Sequence, residues 1–286
     1  MIKTKENIDR RYLGALRFLD NATNAIVRRP LKVSAEGLRF ATNLSNLHVI
    51  TYAKGLENHL DKFEEAPKPP ETELKPFVLN ITDPLGEYLP RSFELKLPRN
   101  PEWEAENNIF TPVDIPLFQA PKAKLGPNWS IIRASVFQAP DNPNSVAIRG
   151  ALLRILKKDN DKLLNSGISD ERGEALIILP GIPITDFSRD EEAEEVEGEL
   201  GNGDDIEGDE HNEWLATGDV VQMETPVKLE VIVEKGTPWP VDPENLEENK
   251  TVWRREIKKP QAPIELKLKP GQTQSIKLFV QMPNDV

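Results

Sequence analysis

Three histidines, no cysteine and one dense run of carboxylates are the groups from which this 286-residue chain could assemble a reactive or metal-binding site. The lack of cysteine removes disulfides, thiolate zinc sites, iron–sulfur clusters and thiol nucleophiles together. His48, between Leu47 and Val49 in a strand-like run, reads either as a packed or hydrogen-bonded residue or as a metal ligand. No second imidazole stands at ligand spacing, which favours packing. His59 in Glu57-Asn58-His59 reads as a surface residue, and His211 falls inside the acidic run. The sequence contains no Gly-x-x-x-x-Gly-Lys-Ser/Thr phosphate loop, no Gly-x-Ser-x-Gly nucleophile turn and no His-Glu-x-x-His zinc helix. The chain therefore reads as non-enzymatic, with no cofactor and no small-molecule ligand expected.

The carboxylates are concentrated. Residues 190–213 hold 13 Asp and Glu and no Lys or Arg, so the net charge of −12 resides there, and the rest carries 36 basic against 35 acidic residues. A calcium loop of the EF-hand type needs oxygens at alternate positions, glycine at the sixth and glutamate at the twelfth. The stretch Asn202-Gly203-Asp204-Asp205-Ile206-Glu207-Gly208-Asp209 misses that register. Three readings of the insert stay open: a solvated segment, as like-charge blocks usually are; a partner-docking segment using Asp204, Asp205, Glu207 and Asp209; or a weak metal site. Trp214, directly after it, reads as an anchor or as a core tryptophan. A nearly neutral body lacks the basic surface that nucleic acid requires.

The elements that must position these groups are strands. Phe93, Leu95 and Leu97 alternate with polar neighbours, as do Val227, Leu229, Val231 and Val233, where only Ile232 breaks the polar face. Ile264, Leu266 and Leu268 alternate likewise, and Pro270-Gly271-Gln272-Thr273 is expected to turn the chain into Ile276, Leu278 and Val280 as a hairpin. A second hairpin is expected between residues 77–82 and 93–97, across Asp83-Pro84-Leu85-Gly86. Asp242-Pro243-Glu244 reads as an N-cap with proline at the first position of a helix that sets Leu246, Trp253 and Ile257 near one face, or as an irregular connector; a short helix is also expected over residues 56–63. With 25 prolines and 16 glycines as punctuation, the pattern predicts a mainly β protein. Two β-sandwich domains are expected in tandem, residues 1–100 and 128–286. A Pro-rich extended connector, residues 101–127, would join them.

Residues 145–155, then Asn165-Ser166-Gly167-Ile168-Ser169-Asp170-Glu171-Arg172-Gly173, and Leu179-Pro180-Gly181, together resemble the carboxypeptidase regulatory-like, transthyretin-like sandwich. In that pattern Asp170 bonds its own turn backbone, Gly173 supplies an unusual dihedral, and Pro180-Gly181 closes the following strand. Residues 11–20, 30–33, 48–51 and 76–90 resemble a degenerate copy of the same plan. The two-sandwich layout is similar to uncharacterised proteins that accompany phage-tail-like contractile injection particles. That resemblance implies a structural or baseplate-type subunit whose partners are other protein subunits. The alternative is a stand-alone module recognising carbohydrate, peptide or calcium through sandwich loops.

Trp103 and Trp239 fall at loop positions, where a tryptophan either anchors an interface or caps a sandwich core. Charged residues make up 29% of the chain, no apolar run reaches the roughly 20 residues of a membrane span, and the first residues carry no secretory signal. A cytoplasmic protein without direct membrane insertion is expected.

Overall fold

The computed structural model describes residues 12–57, 73–139, 143–181, 224–234, 236, 238–248, 253–255 and 264–280. Four sheets make up most of it. In the first half, β1 (Gly14–Asp20), β3 (Leu38–Thr42), β4 (His48–Ala53) and β7 (Val113–Leu117) form one sheet in the order β3-β4-β1-β7. Against it lies a sheet of β2 (Lys32–Ala35), β5 (Lys75–Thr82) and β6 (Arg91–Leu97), in the order β2-β5-β6. Alternation decides the faces: Leu95 and Leu97 are buried while Glu94 and Lys96 are exposed. Leu16, Phe18, Ile50 and Ile115 from the first sheet meet Leu79, Ile81, Leu95 and Leu97 from the second, closing a sandwich core. The expected pairing of residues 77–82 with 93–97 is present, with Phe77 opposite Leu95 and Leu79 opposite Phe93.

In the second half, β8 (Ser130–Gln138), β11 (Glu174–Leu179) and β15 (Thr273–Val280) give the order β11-β8-β15, with β15 parallel to β8. The facing sheet contains β9 (Leu152–Lys157), β10 (Leu163–Ile168), β12 (Thr225–Val233), β13 (Trp253–Arg255) and β14 (Ile264–Leu268). Its order is β10-β9-β12-β13, and β14 also pairs with β12. Ile132, Ala134, Val136, Leu153, Val227 and Leu229 are among the residues packed between the two sheets.

Two expectations are corrected. Residues 264–280 do not form a hairpin: β14 pairs with β12 and β15 with β8, so Pro270-Gly271 carries the chain from one sheet to the other. Turn chemistry reverses the chain but does not choose its hydrogen-bond partner, and here the open sides of two different sheets capture the two strands. The stretch 101–127 is not a plain connector either. Within it β7 pairs in parallel with β1, Leu16 opposite Val113 through Asp20 opposite Leu117. Beyond β7, Phe118, Ala120 and Ala123 are buried.

A short helix, α1 (Pro243–Glu248), stands where Asp242-Pro243 foretold a cap. The Asp242 carbonyl accepts from Leu246 N–H at 3.2 Å, and its carboxylate accepts from Asn245 N–H at 3.4 Å. The helix described covers Pro243–Glu248 and buries Leu246, but the expected helical face does not reach Trp253, which belongs to β13 and pairs with Val233 of β12; Ile257 lies outside the described residues. Most of the helix expected at 56–63 lies outside the described residues.

Candidate functional site

Ile232, the residue that interrupts the polar face of β12, marks where the two halves meet. With Leu152, Ile168, Val241 and Leu246 it packs against Leu89, Phe118 and Ala120 of the first half, and Trp239 lies against the same cluster. Nearby, Asn21 donates its side-chain amide to Asn165 Oδ1 at 2.7 Å and to the Ser166 carbonyl at 2.9 Å. The segment before α1 closes the free side of β6: Ser92 N–H donates to the Val241 carbonyl and Glu94 N–H to the Asp242 carboxylate, each at 2.9 Å.

Arg91 sits at the centre of this junction and is 1% exposed. Its guanidinium donates to the Pro116 carbonyl and to the Glu244 carboxylate, with Asp242 at 3.9 Å. The rings of Phe93 and Phe118 each lie 5.7 Å from it. Burial pushes Arg91 down and Glu244 up, while their mutual attraction opposes both shifts. A guanidinium stays charged even so, and the carboxylate is held as its counterion. The ion pair thus joins α1 to β6 and β7.

Beside the junction, residues 99–112 form an ordered loop. Asn100 N–H donates to the Asn107 carbonyl at 3.1 Å, and Ile109 N–H to the Asn100 carbonyl at 2.8 Å. The buried Asn108 side chain accepts from Phe110 and Thr111 N–H at 2.9 and 2.7 Å and donates to the Ala105 carbonyl. Arg99 clamps the base through the Asn108 carbonyl at 2.8 Å. This framework holds Trp103 75% exposed and Phe110 60% exposed, among the exposed Glu102, Glu104 and Glu106. A groove of about 420 Å³ adjoins the loop, with Phe93, Leu95, Asn107, Asp242 and Glu248 on its walls. Two aromatic side chains on a loop already fixed by its own hydrogen bonds lose little entropy when a partner covers them.

The other residues singled out in the sequence fall in different places. Trp239 is half-buried at the junction, where it packs on the cluster around Ile232, and is not presented to solvent as Trp103 is. Asp204, Asp205, Glu207, Asp209 and Trp214 lie outside the described residues. Asp170 accepts from Arg172 N–H at 2.8 Å and Glu174 N–H at 3.0 Å, shaping the turn into β11. Gly173 and Gly181 both have φ of +76°, and Pro180 is exposed at the end of β11. Phe110 and the Asn108 framework were not foreseen; the Asn100 and Asn107-Asn108 positions, at Asx-turn spacing, were the available signal. Among the described residues no three His, Asp or Glu side chains converge as they would around a metal ion. No described helix is long and apolar enough to cross a membrane.

His48 meets the ring of Phe18 edge-on at 5.1 Å, and its Nδ1 is buried without a hydrogen bond. Burial lowers its pKa below the ordinary 6.5, opposed in part by the Asn46 main chain. The unfolded chain therefore takes up this proton first, so the stability His48 contributes is complete above the ordinary value and is lost as pH falls through and below it. The urea midpoint is expected to drop between neutral pH and about pH 5, with a flatter dependence in His48→Phe.

No protein-family profile and no curated protein matches the sequence. Among solved structures, the Bacillus anthracis TIE protein is similar at 8% identity and a TM-score of 0.24, over 95% of this chain and 34% of that one. The chain thus spans about a third of that structure's length.

Proposed function

We propose that the protein is a non-enzymatic structural or adaptor subunit of a large protein assembly, of the phage-tail-like contractile injection type that its two-sandwich layout resembles. The observation that carries this reading is the loop 99–112, which presents Trp103 and Phe110 on a framework of its own hydrogen bonds. The junction around Arg91 supports it too, because a subunit that transmits position between neighbours gains from two sandwiches joined by a shared apolar cluster and an ion pair. The carboxylates beside the aromatics favour a partner with a basic rim around an apolar pocket.

Co-purification from the native host tests the reading. The wild-type chain is expected to bring down other subunits of a particle. Trp103→Ala is expected to weaken that association by about 2 kcal/mol, roughly thirtyfold in Kd. The same change should alter unfolding stability by no more than about 0.5 kcal/mol, since the side chain is exposed. A wild-type chain that isolates alone, or a Trp103→Ala chain that retains its partners in full, would sink the proposal.

A further inference from the structure

Over residues 273–277, one side of β15 leaves its main chain open among the described residues. Ile131 N–H donates to the Gln272 carbonyl at 2.9 Å and Ala139 N–H to the Val280 carbonyl at 2.8 Å, so the even-numbered residues of β15 bond to β8. By the alternation of a parallel ladder, Thr273, Ser275 and Lys277 turn their N–H and C=O groups to the other side. All three are exposed, and among the described residues nothing bonds to those groups.

Three other strands, β6, β7 and β14, have outward groups taken by identifiable devices. The N–H groups of Ser92 and Glu94 on β6 are taken by residues 241 and 242. On β7, Pro116 removes a donor and its carbonyl receives Arg91. The Gln274 side chain caps the Lys267 carbonyl of β14. Proteins usually blunt an open edge with proline, charged side chains such as lysine, a bulge or inward charge, because it templates further pairing; of these devices the edge carries only the exposed Lys277. Residues 273–277 carry no proline and pair with β8 without a register shift.

We propose that this edge pairs with the same edge of a second copy of the chain, antiparallel about a two-fold axis through Ser275. In that register Ser275 exchanges both main-chain bonds with its counterpart, and Thr273 does so with Lys277 of the other copy, so the outward groups of these three residues find partners. Centring the axis on Lys277 would set lysine directly opposite lysine, which is unfavourable. Centring it on Thr273 would run Lys277 past the strand end to Lys269. With Ser275 at the centre the two Lys277 residues stand four positions apart, about 13 Å along the strand. The half-buried Ile276 also gains cover on the core-facing side, next to Gln274 of the second copy. The three-stranded sheet β11-β8-β15 becomes continuous with its copy. A single strand pair buries less than a standard interface, so the dimer is weak and concentration-dependent.

Sedimentation equilibrium of the full chain over a wide concentration range tests this. Ser275 turns its N–H and C=O away from β8, so Ser275→Lys and Ser275→Glu keep the main-chain ladder; because Ser275 stands opposite Arg133 of β8, circular dichroism and a thermal melt of each variant check that the sheet itself is unchanged. The wild type is expected to dimerise. Each variant alone is expected to associate about fivefold more weakly or worse, because like charges then face each other across the axis. An equal mixture of the two variants is expected to recover the association as a heterodimer. A wild type that stays monomeric throughout, a Ser275→Lys chain that dimerises as the wild type does, or a mixture that shows no recovery would each overturn the assignment.

Discussion

Replacing Arg91 with alanine is expected to destabilise the protein by about 2–3 kcal/mol, read as a lower denaturant midpoint at unchanged folded-state spectra. The guanidinium is almost wholly enclosed and serves the Pro116 carbonyl and the Glu244 carboxylate together. Truncation leaves the half-exposed Glu244 carboxylate and the nearby Asp242 without their counterion, a cost that solvent at Glu244 partly screens, and it removes a side chain enclosed between Phe93 and Phe118. Arg91→Lys is expected to recover only part of the loss, since a point charge cannot reach a carbonyl and a carboxylate in the fork geometry of a guanidinium. The decisive comparison is Arg91→Met combined with Glu244→Leu. If the cost of the single change comes from the orphaned charge, the double substitution restores most of the stability, as exchange of a buried ion pair for apolar groups often does. If the double variant is as unstable as Arg91→Ala, the arginine acts through packing against Phe93 and Phe118 instead. A loss below about 1 kcal/mol for Arg91→Ala would mean that the junction reorganises around water.

Arg91 also shows where the sequence stops being legible. In Leu89-Pro90-Arg91-Ser92 it stands as an ordinary strand-start arginine, and its burial depends on a helix 150 residues further on. The strands themselves could be read, because alternation at 93–97, 227–233 and 264–268 is a local consequence of one buried face. The exception at Ile232 was legible as an anomaly; its cause, the cluster with Leu89 and Phe118, required the other half of the chain. The partners of β14 and β15 were not legible, since β14 reaches back past α1 and β13 to β12, and β15 to β8 in the start of the second half, and such non-local pairing is decided by which edges remain open. Pro116 misled in the opposite direction. A proline-rich stretch reads as a linker, yet proline is tolerated on an edge strand where no ladder donor is needed, and β7 is such an edge. Of the candidate site, Trp103 was visible as a tryptophan in a polar loop. Phe110 and the asparagine framework were not, because the order of that loop comes from side-chain-to-backbone bonds that have no period.

Gly173→Ala is expected to cost about 3 kcal/mol, combining backbone strain with a main-chain collision. The residue has φ of +76°, and a Cβ there would lie 2.6 Å from the Val136 carbonyl oxygen and 3.1 Å from Ala147 Cβ. Neither neighbour is the free end of a flexible side chain. The Val136 carbonyl already accepts from Ile148 N–H at 2.9 Å, and Val136 N–H donates to the Gly173 carbonyl at 2.8 Å. Moving that peptide aside would therefore loosen both the turn and the start of the β8–β11 pairing. Two controls separate strain from collision. Gly181 has the same φ with nothing within 4 Å of a built Cβ, so Gly181→Ala is expected to cost only the backbone part, about 1–2 kcal/mol. Asparagine tolerates the left-handed region, so Gly181→Asn should recover much of that cost while Gly173→Asn should not. Thermal and urea unfolding of the four variants decides it: equal losses at the two positions would show that the turn can yield, and that the closeness of Gly173 to β8 contributes nothing to holding β11 in place.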